Sequence, residues 1–102
     1  MTEKRKYPRQ AVDLRASIRV DGTDRVIETE VKDLSVGGVF VFTDNKLPFA
    51  ANVKVFIAFP PPTGVIELPA VVRWGTDNGV GLQFGLLGAR ETHAIAQVLR
   101  KK

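Results

Sequence analysis

Hydrophobic and polar residues alternate along most of this chain, and the alternation divides it into short extended runs. The clearest run covers residues 12–20, where apolar side chains occupy every second position. A period of two places the apolar side chains on one face of a β-strand, so each run predicts a half-buried strand. The third run is apolar at successive positions, which predicts cover on both of its faces. The predicted strands lie at residues 12–20, 27–32, 39–43, 53–59, 65–75 and 80–84.

The spacing of apolar residues changes after the sixth run. Ala89, Thr92, Ile95, Val98 and Leu99 recur at helical spacing and predict an amphipathic helix at residues 89–101. Six short strands separated by turn signals and followed by one helix are typical of a small closed barrel or a sandwich. The predicted fold class is therefore all-β with a terminal helix.

Length and composition indicate one ordinary globular domain. The chain has 102 residues, of which 44% are hydrophobic and 25% charged. No apolar run approaches the roughly 20 residues of a membrane-spanning helix, so no membrane span is expected. The absence of cysteine excludes disulfides and thiolate metal sites and favours a reducing compartment, which predicts a cytoplasmic protein.

Positive charge is concentrated at the start of the chain. The formal net charge is +4, and within residues 1–15 five basic residues face two acidic ones, so five minus two gives +3 of that total. The residues counted are Lys4, Arg5, Lys6, Arg9 and Arg15 against Glu3 and Asp13. We expect residues 1–11 to form a flexible basic arm that favours an anionic partner. The alternative is a solvated terminus without a partner.

The turn between the second and third predicted strands carries more polar chemistry than a hairpin requires. Asp33 and Ser35 supply a carboxylate and a hydroxyl there, and Gly37 and Gly38 follow directly. Adjacent glycines allow a positive φ and bring bare backbone N–H groups close to a ligand. The turn is therefore predicted to form half of a binding site, with the basic arm as the other half. A turn that is merely capped by its own side chains is the alternative.

Catalytic chemistry has little support in the residue types present. His93 is the only histidine and lies in the predicted helix, where a surface position is the simpler interpretation. No histidine or carboxylate cluster has the spacing of a metal site, and no glycine pattern of a phosphate-binding loop or dinucleotide fold occurs. The sequence therefore predicts a protein that is not an enzyme and has neither metal nor cofactor.

Two short patterns occur here in the order and spacing of a known family. Arg5 and Arg9 form an RxxxR pattern in the arm, and Asp33, Ser35 and Gly38 form a DxSxxG pattern in the turn. Together they resemble the signature of PilZ domains, bacterial receptors for the second messenger cyclic dimeric guanosine monophosphate (c-di-GMP). Residues 70–74 and 79–84 also look like the closing hairpin of that family, so the resemblance covers essentially the whole chain.

The resemblance implies a six-stranded antiparallel β-barrel at residues 12–85, followed by a helix at residues 89–101. It implies that Arg5 and Arg9 bind guanine edges and phosphates of c-di-GMP. Lys4 precedes Arg5, where a basic residue in the family often accompanies an intercalated ligand dimer. We therefore expect one or two ligands per domain, and favour two.

The resemblance also implies roles for residues outside the arm. Asp33 and Ser35 would bond a guanine or its sugar–phosphate, while Gly37 and Gly38 would let the backbone approach the ligand. Trp74 would line the site if its strand lies near the barrel mouth, although a buried core position is the favoured interpretation for this side chain.

The implied function is that of a stand-alone receptor and adaptor, which changes its arm conformation on binding c-di-GMP and acts on a partner protein. A ligand-free protein-interaction module on the same barrel is the alternative. Binding of DNA or RNA is not expected, because the phenylalanines read as core side chains rather than as an exposed stacking surface. These phenylalanines are Phe40, Phe42, Phe56 and Phe59.

Overall fold

The computed structural model describes residues 10–100, which form six β-strands and one α-helix. The strands are β1 (Gln10–Val20), β2 (Val26–Leu34), β3 (Gly38–Phe42), β4 (Asn52–Phe59), β5 (Gly64–Gly75) and β6 (Gly79–Phe84), and the helix is α1 (Ala89–Arg100). All six predicted strands and the predicted helix are present. The first strand begins earlier than expected, because Gln10 and Ala11 already pair with β2. The predicted arm of residues 1–11 is therefore two residues too long.

The strands close into a barrel in the order β1-β2-β3-β6-β5-β4. Every neighbouring pair is antiparallel, including the closing pair of β1 with β4. This is the six-stranded antiparallel barrel with a C-terminal helix that the sequence predicts. Closure decides between the two predicted architectures, since a sandwich would leave two separate sheets.

The inward face of each strand supplies the core, as the alternation predicts. In β2, Ile27, Thr29 and Val31 are buried, whereas Glu28 and Glu30 are exposed. The largest side chains with less than 2% exposure come from five of the strands and from the helix, which places one contiguous core inside the barrel. They are Ile18, Leu34, Val41, Val53, Val55, Ile57, Leu68, Val72 and Ile95.

Because neighbouring strands run in opposite directions, the connections fall at two ends of the barrel. The β2–β3 and β4–β5 turns lie at one end, which we call the glycine-turn end. The β1–β2 turn, the β3–β4 loop and the β5–β6 hairpin lie at the other, the hairpin end. The β5–β6 hairpin is closed by a backbone bond in which Thr76 donates its N–H to the carbonyl of Gly79 (2.9 Å).

Helix α1 follows β6 and packs at the glycine-turn end. Ala94 and Ile95 are buried, and Val98 packs against the core from the same side. Ala89 and Thr92, which the spacing places on this face, are exposed because the contact with the barrel begins only at Ala94. Helix α1 has 12 residues, and no helix within residues 10–100 is long and apolar enough to cross a membrane.

The register of β5 is interrupted in one place, between Val72 and Trp74. A proline at position 69 favours a bulge or an edge position, but Pro69 pairs with Lys54 in an unbroken ladder of a closed barrel. Its carbonyl accepts the N–H of Gly85 (2.9 Å), just beyond the last β6 residue. In an antiparallel strand the N–H and C=O of one residue point to the same side. The donor that proline lacks is therefore missing only where the β6 ladder ends.

The burial pattern predicts very different costs for the same leucine substitution at two positions. Leu68 is fully buried in the barrel, whereas Leu86 is 98% exposed after β6. Leu68→Ala should lower the free energy of unfolding by about 2–5 kcal/mol, through lost burial and the cavity left behind. Leu86→Ala should change it by less than about 0.5 kcal/mol. Urea denaturation of both variants measures this difference, and equal costs would contradict the assignment of the core.

Candidate functional site

Ser35 is buried inside the β2–β3 turn and holds the turn together. Its Oγ accepts the N–H groups of Gly37 (3.1 Å) and Gly38 (3.2 Å), and its own N–H donates to the carbonyl of Gly38 (2.9 Å). The carbonyl of Gly37 accepts the N–H of Phe84 (3.0 Å), which ties the turn to the end of β6. The side chain that the sequence predicts to bond a ligand is thus engaged by the protein backbone.

The two glycines of this turn act differently from the prediction. Neither Gly37 nor Gly38 has a positive φ, and their N–H groups are bonded to Ser35 instead of being bare. Gly38 is required by packing, because a Cβ atom at this position would overlap the carbonyl oxygen of Leu82 on β6. The expectation of a left-handed, open glycine turn is therefore wrong. The capped-turn alternative describes this geometry.

A β-bulge precedes the turn and re-aims the end of β2. Val31 pairs with Val41 and Asp33 pairs with Phe40, so Lys32 is an extra residue in β2. The bulge places two consecutive side chains, Lys32 and Asp33, on the outer face of the barrel. Asp33 is half-buried there, and its Oδ1 is shielded from solvent.

Two aromatic rings stack on the outer face beside Asp33. The rings of Phe40 and Trp74 have centroids 4.9 Å apart and planes inclined by 21°, and we call them the aromatic pair. They have room because β6 carries glycines underneath them. A Cβ atom at Gly79 would overlap the Phe40 ring, and one at Gly81 would overlap the Trp74 ring.

These residues lie in one row across four strands. Asp33 pairs with Phe40, Phe40 with Gly81, and Gly81 with Trp74, which links β2, β3, β6 and β5. We call Asp33, Phe40, Gly81 and Trp74 the outer row. The structure thus brings together a carboxylate and the exposed ring of Trp74, which stacks on the buried ring of Phe40, close in register to the Ser35 turn.

The aromatic residues of the chain differ in part from the prediction. Trp74 is 41% exposed, so its interpretation as a core side chain is wrong. Among the phenylalanines expected in the core, Phe40 and Phe59 are buried, whereas Phe42 is 41% exposed and Phe56 half-buried. Phe42 faces outward and meets Phe40 edge-to-face, with centroids 6.5 Å apart. The third strand is therefore not covered on both faces along its whole length.

Two cations near the outer row were not identified from the sequence. The Nζ atom of Lys32 lies 5.4 Å from the centroid of the Phe40 ring. Arg73 precedes Trp74 on β5, and its Nε donates to Oε1 of Gln83 on β6. One sequence signal existed for the first of these. In β2 every second residue up to Val31 faces inward. Continued alternation would place the charged Asp33 in the core, so the sequence indicates a bulge after Val31.

The arm residues of the predicted site lie outside the described part of the chain. Lys4, Arg5 and Arg9 all precede residue 10, so their placement relative to the outer row stays a prediction. Within residues 10–100 no group of three or more histidine, cysteine or acidic side chains could hold a metal ion. His93 is exposed on α1, as the simpler interpretation expects.

Two cavities lie away from the outer row. One of about 250 Å³ opens at the hairpin end, between the β3–β4 loop and the β5–β6 hairpin, with Lys46 and Asp77 in its lining. The other, of about 70 Å³, lies between the prolines at residues 60–62 and Gln97 of α1. Neither contains a residue of the outer row.

The barrel matches solved structures closely in shape and weakly in sequence. The inhibitor of motility from Bacillus subtilis (MotI/DgrA) superposes with a TM-score of 0.77 at 23% identity, over 98% of this chain and 51% of that protein. The PilZ domain of YcgR from Escherichia coli, described with c-di-GMP, gives 0.75 at 14% identity, over 97% and 94% of the two chains. The MrkH–c-di-GMP complex of K. pneumonia gives 0.79 at 18% identity, over 98% and 52%.

These likenesses establish the fold, and the chain spans about half the length of the motility inhibitor and of MrkH. A comparison with curated protein sequences finds no match. The sequence model of the PilZ domain, in contrast, matches residues 3–101, which is nearly the whole chain. Together with the closed barrel and its terminal helix, this match shows that the chain belongs to the PilZ domain family.

Proposed function

We propose that this domain is a receptor for c-di-GMP and not an enzyme. The observation that carries the proposal is the outer row, in which Asp33 of the DxSxxG pattern and the exposed ring of Trp74 share one register line. Family membership supports it, as do solved relatives from E. coli and K. pneumonia that are described as c-di-GMP complexes. The ligand is a doubly charged cyclic nucleotide with two guanine bases, and we propose a partner in this chain for each of these parts.

In the proposed mechanism the exposed ring of Trp74, backed by the buried ring of Phe40, offers a flat surface on which a guanine stacks. Asp33 accepts hydrogen bonds from guanine N–H groups, because an ionised carboxylate is purely an acceptor. Arg5 and Arg9 of the arm bind phosphate oxygens or the guanine Hoogsteen edge, since a guanidinium presents a planar fork of donors. Ser35 contributes indirectly, by fixing the turn that ends β2.

We further propose that the arm changes conformation when it closes on the ligand, and that a partner protein reads this change in the cytoplasm. Lys4 would then admit a second, intercalated c-di-GMP. A ligand-free interaction module is the rival function, and a nucleic-acid binder gains some support from the exposed rings of Phe42 and Trp74. A thermal-shift comparison of c-di-GMP, GTP and a short oligonucleotide separates the three, because only a ligand that prefers the native state raises Tm.

The arm arginines should dominate affinity. Arg9→Ala and Arg5→Ala each remove a charge-assisted bidentate contact and should weaken binding by about 3 kcal/mol, or roughly 150-fold in Kd. Arg25→Ala is the matched control, because Arg25 lies in the β1–β2 turn at the hairpin end. Titration calorimetry gives both Kd and the number of ligands bound. Wild-type affinity in the Arg9 variant would reject the mechanism.

Trp74 should report binding directly. It is the only tryptophan of the chain, and its exposed ring lies in the outer row. A guanine stacking on this ring should change the intensity of its fluorescence in a saturable titration with c-di-GMP, whereas GTP should produce little change. A fluorescence signal that stays constant while calorimetry detects binding would place the ligand elsewhere.

Ser35→Ala should act first on the turn. The N–H groups of Gly37 and Gly38 would lose their acceptor, which should reduce the free energy of unfolding by about 1–3 kcal/mol. Ser17→Ala, at a half-buried site on β1, is the control and should cost less than about 0.5 kcal/mol. Chemical denaturation measures both variants. Unchanged stability with lost c-di-GMP binding would instead indicate direct ligand contact by Ser35.

A further inference from the structure

Two of the β-bulges beside the outer row, one in β2 and one in β5, have a basic residue as the extra member. A third irregularity, in β1 between Ala11 and Leu14, has none. In β2 the extra residue is Lys32, immediately before Asp33. In β5 the register steps from the Val72–Leu82 pair to the Trp74–Gly81 pair, which leaves Arg73 as the extra residue immediately before Trp74. Bulges next to binding sites commonly serve to re-aim a side chain.

The bulges place these cations on opposite sides of the row. Strand β2 runs towards the glycine-turn end and β5 runs away from it, because the two strands point in opposite directions around the barrel. Lys32 therefore lies on the hairpin side of Asp33, and Arg73 lies on the glycine-turn side of Trp74. The aromatic pair lies between them, along a diagonal of the outer face.

Lys32 extends over the Phe40 ring of the aromatic pair and has no acidic partner among residues 10–100. Its Nζ lies 5.4 Å from the centroid of the Phe40 ring, within cation–π range. Within residues 10–100 no ion pair of Lys32 with a carboxylate is seen, and the side chain is exposed. Its charge is therefore available to an anion that approaches the aromatic surface.

Arg73 is held in place by an amide instead of a carboxylate. Its Nε donates to Oε1 of Gln83, and Gln83 pairs with Gly38 at the start of β3. This bond fixes the guanidinium while leaving its charge uncompensated, since glutamine is neutral. The two terminal amino groups carry four of its five N–H donors, enough for a bidentate contact with a phosphate.

The geometry points to Lys32 and Arg73 as a second pair of phosphate-binding residues, which hold the two phosphates of the ligand on either side of the aromatic pair. This inference rests on the proposed function and adds to it a set of contacts from the barrel wall, independent of the arm. Two cations across a stacking surface match a ligand that carries two negative charges around two flat bases. They also disfavour a neutral base-stacking ligand, which gains nothing from either charge.

The test is titration of c-di-GMP into the wild-type protein, Lys32→Met, Arg73→Met and the double variant at low and high salt. Methionine keeps an apolar chain over the ring and removes only the charge. Each single variant should raise Kd by about three- to fivefold and the double variant by about tenfold or more. Affinity in the double variant should also depend less on salt, because two screened ionic contacts are gone.

Matched controls come from the opposite wall of the barrel. Lys54→Met on β4 and Arg19→Met on β1 make the same changes in charge, away from the four strands of the outer row. Both should leave Kd and its salt dependence close to the wild type. Tm of every variant is recorded without ligand, so that a loss of folding is separated from a loss of contact.

The outcomes separate this inference from the function on which it rests. If the wild-type protein fails to bind c-di-GMP at all, the proposed function is overturned, and this inference with it. If the wild type binds and the folded double variant binds equally tightly with the same salt dependence, only the role of Lys32 and Arg73 is overturned. Equal weakening in the Lys54 and Arg19 controls would also overturn it, because the effect would then be one of net charge.

Discussion

The outer face of this barrel depends on two absent side chains, those of Gly79 and Gly81. Between them on β6, Val80 points inward to the core, so the strand contributes to the core while its outer face carries no side chain at either glycine. The aromatic pair occupies that bare surface, where a Cβ atom at either glycine would overlap a ring. The outer row, its register and the exposure of Trp74 all follow from this constraint. In the sequence the same Gly-Val-Gly stretch indicates only the start of a strand. The alternation of hydrophobic and polar residues does not reveal which side chain packs over a glycine.

Most of the fold was predictable because closed antiparallel barrels repeat one simple rule. The alternation of β4, and of β2 as far as Lys32, follows burial residue by residue, and the change to helical spacing after Phe84 locates α1. Prediction failed where the rule is interrupted. A bulge turns two successive side chains to the same face, so every residue beyond it shifts by one position. In β5 every second residue up to Val72 faces inward, so the alternation assigns Trp74 to the core. Because tryptophan is apolar, its residue type does not contradict that assignment. In β2 the charge on Asp33 does contradict a core position and so indicates that the alternation is interrupted.

The location of the candidate site was predictable from the sequence, whereas the roles of its individual residues were less so. Asp33 and Ser35 were found because a carboxylate and a hydroxyl beside paired glycines are unusual in a plain turn. Their separate roles could be assigned only from the structure, because a hydroxyl that bonds a ligand and one that bonds its own turn cannot be distinguished in sequence. Here Ser35 shapes the turn, and Asp33 faces the outer row. The role proposed for Arg5 and Arg9 rests on their chemistry and on the family pattern, because both residues precede the described part of the chain.

A sheet that closes on itself has a mechanical consequence for signalling. Each described strand is hydrogen-bonded on both sides, so the six strands cannot slide or separate without breaking a whole ladder. A ligand that bound to the outer wall, as the proposed function requires, would therefore meet a stiff frame, and little of its binding energy could be spent on deforming that frame. The information that a ligand has arrived must travel as a change of surface: which charges are neutralised, which rings are covered, and which neighbouring segment rests upon them. A partner of such a domain would recognise the altered charges and covered rings of the surface and not a change in the shape of the barrel.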